Sequence, residues 1–450
     1  MRYNSVLDLH THTVASGHAY CSLREMAKAA SEKGLEVLGI TEHAPMMPGT
    51  CHKYYFDNLK VVPREMYGIQ LLLGSEVNIL DAQGSVDLSE RTLSKMDVVV
   101  ASLHIPCMKP ASKLENTEGY LNVMKNPYVN IIGHPDDGRF PVDYEQLVLG
   151  AKKHHVLLEV NNNSLDPRCT RENGEENVKD MLCYCKKYEV PEVFCTAWLD
   201  NGAETPVDAI LPGAALFAHL GFHEEFDEAA LEDEFQDAVG SSLKEFLKLD
   251  KFDQLFLGDQ ANMKSENPSK YLLYQDALLG IFDYHLKDAG VSEYYKKLAE
   301  ELKNSAEICK NHAKFFGYYH CLAEVLAQKA DLGSEIKAAY DAHDLSTLSR
   351  ICEEIIPHLT ENLWKLKELR EDLWMADAKP FGYELIDLRM GGVITRLDST
   401  RRRLHSYVEG KISRLEELET ERIQYFAEGE PAIENHWQRA VSGADFTDTI

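Results

Sequence analysis

The sequence lacks the features of a membrane or secreted protein. None of its apolar runs reaches the roughly 20 residues that a transmembrane helix needs, and the first residues, MRYNSVLDLH, contain no apolar signal segment. Its 10 cysteines are scattered, and none belongs to a Cys-x-x-Cys pair. We therefore expect a cytoplasmic protein whose cysteines are mostly buried thiols rather than a disulfide framework.

Basic residues are scarce as well. The chain has 47 Lys and Arg residues against 74 Asp and Glu residues, a formal net charge of −27, and most of the excess lies beyond residue 194. Such an acidic surface repels DNA, RNA and anionic lipid. The composition thus argues against nucleic acid or membrane as a main partner, although metal ions can still hold a small phosphorylated substrate.

Several common catalytic signatures are missing. The sequence contains no Gly-x-Gly-x-x-Gly after a strand, no Walker loop and no Gly-x-Ser-x-Gly elbow. Spacing alone leaves Cys–His catalysis open, but no cysteine stands at a predicted strand end beside an obvious base.

The first 200 residues alternate apolar strands with helical stretches. The predicted strands are 6–10, 37–43, 70–79, 98–104, 129–135, 156–162 and 192–200, and helical segments between them include 22–33, 117–125 and 144–154. Seven such repeats without hairpin signals predict an α/β fold, a seven-stranded barrel similar to a TIM barrel. In such barrels the chemistry lies at the carboxyl ends of the strands.

From about residue 223 the pattern is helical and mostly acidic. Long amphipathic stretches cover 292–329, 334–374 and 395–427, with candidate breaks that include Gly290, Lys379-Pro380-Phe381-Gly382 and Gly391-Gly392. This pattern is typical of an antiparallel helical bundle. We therefore expect an all-α domain after the barrel.

Unusual polar residues stand at the ends of five successive predicted strands. They are His10 with His12, His43, Glu76, His104 and His134, and a further histidine, His18, follows the first pair. A single histidine at a strand end is more often a hydrogen-bonded core residue than a ligand, but five strands that deliver His or Glu to one rim indicate a metal site. Imidazoles with a carboxylate and without cysteine suit Zn²⁺, with Mn²⁺ or Fe²⁺ as possible substitutes.

Two carboxylates have expected roles in this site. Glu76 stands centrally, and its two oxygens can bridge two ions roughly 3.5–4 Å apart, which would hold phosphate oxygens and lower the pKa of a bound water. Side chains alternate along a strand, so Asp8 is expected to face the same way as His10 and His12 and to orient or support the ligands.

The segments DLHTHTVASGHAY, ITEHAP, GSEVN, SLH, GHP and EVNNNS, in this order, resemble the polymerase and histidinol phosphatase (PHP) superfamily. The similarity is greatest to its small phosphatases, which have a three-zinc site in a seven-stranded barrel, and it covers about residues 3–192. It implies that His10 and His12 hold a first zinc, that Glu76 bridges to a second held by His104 and His134, and that His18 and His43 hold a third.

The last strand departs from that family. The family ends it in Gly-Ser-Asp-x-His, whose Asp serves the first zinc and whose His serves the third, whereas this chain reads EVFCTAWLDNGAE at 192–204. Asp200 is the candidate to replace the missing carboxylate, and no histidine lies within reach. The resemblance therefore implies two or three bound ions, with a weak or empty third site.

The rest of the chain resembles another family. Residues 194 to about 443, from FCTAWLDNGAETPVDAILPGAALFAHLGF to LWMADAKPFGYELIDLRMGGVITRL, are similar to the C-terminal part of bacterial β-N-acetylhexosaminidases of glycoside hydrolase family twenty. In that family a Trp-x-Asp, here Trp198 and Asp200, shapes the sugar subsite. The family's catalytic Asp-Glu pair has no counterpart, so we interpret Trp198 and Asp200 as remnants of that origin.

Together these features predict four segments: a phosphatase barrel over 1–192, a last strand and helix of hexosaminidase-like origin over 193–245, a helical bundle over 246–427 and a tail over 428–450. The predicted function is hydrolysis of a small phosphomonoester by a metal-activated water, with Glu76 and Asp8 as catalytic-site carboxylates and Arg139 and Arg168 as candidate phosphate contacts. The alternatives are a non-catalytic or impaired metal-binding fusion and a sugar-processing protein.

Overall fold

A computed structural model describes residues 5–162, 178–198, 204–223, 225–255, 267–287 and 289–422. The chain forms two compact units. The first unit comprises Met1–Trp198 with Gly213–Asp227, and the second comprises Leu199–Pro212 with Glu228–Ile450.

The first unit is built on one sheet with seven parallel strands in chain order. They are β1 (Leu7–Asp8), β2 (Val37–His43), β4 (Ile69–Asn78), β5 (Val98–Ser102), β6 (Ile131–Ile132), β7 (Leu157–Asn161) and β8 (Val193–Thr196). A two-residue strand, β3 (Glu65–Met66), pairs antiparallel with β4. The seven parallel strands confirm the predicted barrel-like α/β fold.

Helices connect the strands and cover the sheet. They are α1 (Leu23–Glu32), α2 (Tyr54–Asn58), α3 (Glu90–Leu93), α4 (Lys113–Val123), α5 (Tyr144–His154), α6 (Val178–Lys187) and α7 (Leu211–Phe222), with short 3₁₀ turns at Val14–Ser16 and Leu59–Val61. Local sequence sets their starts: Ser22 with Glu25 and Ser112 with Glu115 form capping boxes, which satisfy the first free N–H groups of α1 and α4.

The expectation of no hairpin was wrong at one place. Between β3 and β4, Tyr67 and Gly68 have φ values of 53° and 81°, and two successive left-handed residues form the tight turn that joins antiparallel strands. Tyr67 is an uncommon residue at such a position, so the sequence carried only a weak signal for this turn.

The two ends of the sheet meet through side chains. Within the described residues the strand pairing runs from β1 to β8, and no hydrogen-bonded ladder joins these two strands to each other. The ring of His10, just after β1, nevertheless lies 4.7 Å from the ring of Trp198, just after β8. The sheet therefore curls far enough to bring the residues after its first and last strands into contact.

The second unit is helical, which confirms the predicted all-α domain. Its helices are α8 (Glu228–Val239), α9 (Leu243–Leu247), α10 (Pro268–Tyr274), α11 (Asp283–Leu286), α12 (Val291–Lys303), α13 (Ser305–Ile308), α14 (Ala313–Lys329), α15 (Leu332–Asp341), α16 (Leu345–Arg350), α17 (Ile356–Asp377), α18 (Tyr383–Val408) and α19 (Glu416–Glu419). A π-helical turn, Ile351–Ile355, joins α16 to α17, and 3₁₀ turns lie at Val207–Ile210, Lys248–Asp253 and Lys310–His312.

The breaks predicted in this unit were right in part. Gly290 and Gly382 precede α12 and α18 with φ values of 63° and 100°, which glycine adopts without strain. The Gly391-Gly392 pair, in contrast, lies inside α18. Met390, Val393 and Ile394 around the pair are buried, and tertiary packing of that face outweighs the low helix propensity of glycine.

Among the described residues, the helices do not combine the length and apolar character that a membrane span requires. The cysteines in the same part of the chain are free thiols, and most of them are buried or half-buried.

Glycines allow the strands of the sheet to approach closely. A Cβ atom on Gly74 of β4 would lie 1.7 Å from the carbonyl oxygen of Val98, and one on Gly39 of β2 would lie 2.4 Å from that of Leu9. Both contacts are with backbone atoms, which cannot move aside as a flexible side chain could. The positions of β5 and of the segment after β1 therefore depend on these two residues.

We expect Gly74→Ala to destabilise the first unit by about 1–3 kcal/mol or more, because the new methyl group overpacks the β4–β5 contact. Thermal unfolding followed by circular dichroism measures the loss. The matched control is Gly221→Ala in α7, where a Cβ meets nothing within 4 Å and stability should change by less than about 1 kcal/mol. Equal melting temperatures for the two variants would contradict this account of the sheet.

Candidate metal centre

Glu76, near the end of β4, is 1% exposed and lies at the centre of a cluster of histidines. Oε2 of Glu76 lies 3.3 Å from Nε2 of His10, 3.4 Å from Nε2 of His12 and 2.8 Å from Nδ1 of His43. Oε1 of Glu76 lies 3.3 Å from Nε2 of His104 and 3.0 Å from Nε2 of His134. The two oxygens of one carboxylate thus face two separate groups of imidazoles.

The parallel sheet explains why distant histidines meet here. His43 is the last residue of β2 and pairs in register with Glu76 of β4, while His104 and His134 follow the ends of β5 and β6. Because neighbouring parallel strands end at the same edge of the sheet, their terminal side chains share one rim. The structure therefore brings together the residues that the strand-end pattern singled out.

Three sets of side chains in this cluster could each hold a metal ion. They are His12 with His18 and His43, His10 with His12 and Glu76, and His43 with Glu76 and His104, and the ligand atoms of each set lie within 4.8 Å of one another. His18 joins the cluster through ring contacts, at 5.1 Å from His12 and 4.9 Å from His43 between centroids. The sets share members, so they do not amount to three complete sites.

Buried polar atoms in the cluster fit a bound cation. Nε2 of His10, Nδ1 of His43 and Oε2 of Glu76 are all buried and make no hydrogen bond. Leaving such groups unsatisfied costs about 1–3 kcal/mol each. Imidazole nitrogens and a carboxylate oxygen that converge in this way are the ligands that Zn²⁺ takes in proteins.

The outer nitrogens of two rings are held by hydrogen bonds. Nδ1 of His10 lies 2.7 Å from Oε2 of Glu159 on β7, and the hydroxyl of Thr196 donates to the other oxygen of Glu159 at 2.6 Å. Nδ1 of His104 lies 2.8 Å from Oδ1 of Asn78. These contacts direct Nε2 of each ring towards Glu76, as the outer partners of metal-binding histidines commonly do.

Glu159 makes the supporting contact with a histidine ring that the sequence led us to expect of Asp8. Asp8 is exposed, and its Oδ1 accepts the backbone N–H of His10 at 3.3 Å rather than contacting the ring. The reason is that β1 ends at Asp8, so the alternation of side chains expected for a longer strand does not continue to His10. A signal for Glu159 existed, since a carboxylate inside the apolar strand LLEVN needs a buried partner.

Of the two candidate phosphate contacts, Arg139 belongs to the described residues and Arg168 does not. Arg139 follows β6, and its guanidinium binds the carboxylate of Asp137 through Nε at 2.9 Å and Nη2 at 2.7 Å. The Arg139 side chain is 41% exposed. Arg168 and Asp200, the proposed replacement ligand, both lie outside the described residues.

Trp198 lies against the cluster rather than apart from it. Its ring meets His10 edge-on at 4.7 Å and lies 5.4 Å from His12. The interpretation of this residue as a remnant of a sugar subsite did not include this contact. Its indole covers the side of the centre that follows β8, the strand at which the family motif is missing.

Charges in the cluster shift the pKa values of its members in opposite directions. Burial alone would lower the pKa of His10, but the carboxylates of Glu159 and Glu76 outweigh it and raise this pKa to about 10. Glu76 likewise outweighs burial at His134 and raises that pKa to about 9. At His104 burial prevails and lowers the pKa to about 4. Burial would raise the pKa of Glu76, yet the neighbouring histidines hold it well below its usual range.

Two protein families match this chain. The PHP domain matches residues 8–164, and the Glycoside Hydrolase 20C C-terminal domain matches residues 244–436. Both matches confirm the resemblances stated from the motifs. Residues 165–243, which include β8, fall outside both matched ranges.

Among curated proteins, one named a probable phosphatase in Clostridium novyi is 50% identical over 190 residues, which are 42% of this chain and 76% of that protein. A probable phosphatase of Acetivibrio thermocellus is 46% identical over 185 residues, 41% of this chain and 76% of that protein. Among solved structures, histidinol phosphate phosphatase from Lactococcus lactis, complexed with zinc, L-histidinol and phosphate, is 17% identical with a TM-score of 0.32, covering 49% of this chain and 95% of that one.

We expect metal uptake at this cluster to release protons. His10 and His134, with pKa values of about 10 and 9, are protonated at pH 7 in the metal-free protein, and a protonated imidazole cannot bind a metal. Zn²⁺ binding should therefore release about two protons at pH 7, and its apparent affinity should rise with pH up to about 9.

Calorimetric titration of metal-free protein with Zn²⁺, in buffers that differ in ionisation enthalpy, counts the released protons. Repeating the titration at pH 9.5 is the internal control, because fewer protons remain to be displaced. A binding enthalpy that is independent of the buffer at pH 7 would contradict the protonation of these two rings.

Proposed function

Since its N-terminal part belongs to the PHP domain family, we propose that this chain is a metal-dependent phosphatase that cleaves a small phosphomonoester with a metal-activated water. One observation carries the proposal: the buried carboxylate of Glu76 faces His10, His12 and His43 with one oxygen and His104 and His134 with the other. A carboxylate in this setting suits a pair of ions that share it.

The proposed ligands form two groups around Glu76. His10 and His12 would hold one ion with Oε2 of Glu76, and His104 and His134 would hold the other with Oε1. When bound, Zn²⁺ supplies positive charge for the phosphoryl oxygens and an activated water. The donor set is also compatible with Mn²⁺ or Fe²⁺. Whether Asp200 adds a ligand to the first group stays a prediction.

The chain's own residues have three tasks in this proposal. Glu159 and Asn78 keep the rings of His10 and His104 oriented with Nε2 towards Glu76 and the ions that these rings would hold. Trp198 covers the rings of His10 and His12 and limits the access of bulk water. Arg139, held by Asp137, is the proposed cationic contact for phosphate, because a guanidinium fixed at a strand end can pair with an anion at low entropic cost.

The alternative functions have less support. The hexosaminidase-like match covers residues 244–436, in the helical part of the chain, and not a barrel with the carboxylate pair that glycoside hydrolysis requires. The non-catalytic alternative keeps the metal ions but not the chemistry, because the last-strand Asp-x-His is missing. Measured turnover separates this alternative from the proposal.

We expect the full-length protein to hydrolyse p-nitrophenyl phosphate in the presence of Zn²⁺ or Mn²⁺ and to lose this activity with a chelator. Glu76→Gln should lower kcat by at least about 100-fold, because a neutral amide replaces the charged carboxylate that the two ions would share. His104→Ala should have a similar effect. The control is His154→Ala, at the end of α5 that leads into the start of β7 and so at the opposite edge of the sheet, which should leave the rate unchanged.

Three results would count against this function. Protein that binds Zn²⁺ but turns over no phosphomonoester would support the non-catalytic alternative. Hydrolysis that persists in Glu76→Gln would place the reaction elsewhere. Turnover of an aryl β-N-acetylglucosaminide, insensitive to the chelator, would favour the sugar-processing alternative.

We also expect elemental analysis of protein purified without added metal to give about two Zn²⁺ ions per chain, one on each side of Glu76. The third set has only His18 beyond the residues that the other two sets already use. Glu76→Gln should lower the ratio, whereas His154→Ala should not. A ratio near three would show that further residues complete the third site, and a ratio near zero would refute the metal-dependent function.

A further inference from the structure

Ser16 is a buried residue of the 3₁₀ turn Val14–Ser16, which lies between β1 and α1. Its hydroxyl makes three contacts, two with groups on β2 and one with His12, in the segment after β1. Oγ of Ser16 lies 2.5 Å from Oε2 of Glu42, 3.0 Å from Nδ1 of His12 and 3.0 Å from the backbone nitrogen of His43. One hydroxyl thus contacts two histidines of the cluster.

Glu42, on β2, is fully buried and receives only hydrogen-bond donors. Oε2 accepts the backbone N–H of Thr13 at 3.0 Å and the hydroxyl of Ser16. Oε1 accepts the hydroxyl of Thr13 at 2.5 Å and that of Tyr55 at 3.3 Å. Three hydroxyls and one backbone N–H converge on its two oxygens, so Glu42 is the hydrogen-bond acceptor of this network.

This arrangement decides where the proton of Ser16 lies. A serine hydroxyl has one hydrogen and two lone pairs, and its hydrogen is donated to Glu42. One lone pair accepts the backbone N–H of His43. The other can be satisfied only if Nδ1 of His12 carries a hydrogen and donates it. The neutral ring of His12 must then have its free lone pair on Nε2, the atom that faces Glu76 at 3.4 Å.

We propose that Ser16, held by Glu42, is a positioning residue that sets the tautomer of His12 and the place of His43 for metal binding. The proposal rests on the metal-dependent function proposed above and extends it to residues outside the ligand set. It parallels the contact of Glu159 with His10, except that the carboxylate acts on His12 through a serine hydroxyl.

The contact between Ser16 and His12 also limits the number of ions that the cluster can bind. His12 belongs both to the set with His10 and Glu76 and to the set with His18 and His43. Because Ser16 occupies Nδ1, His12 has one nitrogen to offer and cannot link an ion of each set. His12 therefore serves the ion beside Glu76, and the third set is left with His18 and His43.

The test compares Zn²⁺ binding by full-length variants, with Zn²⁺ alone as the probe and a competing chelator to measure affinity. In Ser16→Ala the affinity of one ion should fall about 10- to 100-fold, the loss typical when the outer partner of a metal-binding histidine is removed. The second ion, on the side of His104 and His134, should bind as in the wild type. Ser16→Thr keeps the hydroxyl and should restore the lost affinity.

Ser305→Ala is the matched control in the helical unit. The hydroxyl of Ser305 is also buried and also donates to a carboxylate, Oε2 of Glu245, at 2.5 Å. Its loss removes the same kind of hydrogen bond without touching a histidine. We expect both Zn²⁺ affinities to be unchanged in this variant.

Melting of the metal-free proteins separates positioning from a purely structural role. The proposal expects Ser16→Ala to unfold within a few degrees of the wild type while one ion is weakened. A large fall in melting temperature together with equal weakening of both ions, not restored by Ser16→Thr, would overturn it. Unchanged Zn²⁺ affinities in Ser16→Ala would also overturn it, but would leave the phosphatase proposal intact if wild-type turnover is measured.

A double-mutant cycle tests the part played by Glu42. Glu42→Gln should weaken the same ion in the wild-type background and add little to the loss in Ser16→Ala, because Glu42 acts through Ser16. Additive losses would remove Glu42 from the proposal.

If the wild type binds no Zn²⁺ at all, both this inference and the proposed function fail.

Discussion

The buried carboxylate of Glu76 among five imidazoles is the constraint on which the first unit depends. A carboxylate that is 1% exposed carries a large desolvation cost unless charge and hydrogen bonds compensate for it. The surrounding histidines supply that compensation, and the parallel sheet supplies the histidines, because each strand delivers its last residues to the same rim. The glycines between the strands allow the close approach of neighbouring segments that this arrangement of histidines requires.

Around this centre the chain places a second layer of polar residues that bind no metal in our proposal. Glu159, Asn78 and Ser16 each contact the Nδ1 atom of one histidine. They come from β7, from β4 and from the turn after β1, so segments that are distant in sequence orient the rings together. Such outer contacts raise the basicity of the ligands and fix which nitrogen faces the metal.

Different segments of the chain are similar to different protein families. A PHP domain match ends at residue 164 and a glycosidase-type match begins at residue 244, while β8 lies between them and still pairs in register with β7 over four residues. Side chains also link β8 to the rest of the sheet: Thr196, its last residue, donates a hydrogen bond to Glu159, and Trp198, just after it, packs against His10. The pairing of β8 with β7 uses the backbone and so does not depend on the side chains of β8, whereas the side chains at the rim determine the site.

The sequence by itself determined the strands, the helical second unit and the histidines at the rim, because these follow from local rules: alternation along a strand, helical periodicity and the shared edge of parallel strands. Only the tertiary structure decided which carboxylate lies behind which ring. Glu159 and His10 are 149 residues apart, and the alternation that favoured Asp8 fails because β1 ends there. The network of Ser16 and Glu42 and the place of Trp198 were likewise beyond local rules, since a hydrogen bond between distant segments depends on how the whole sheet curls.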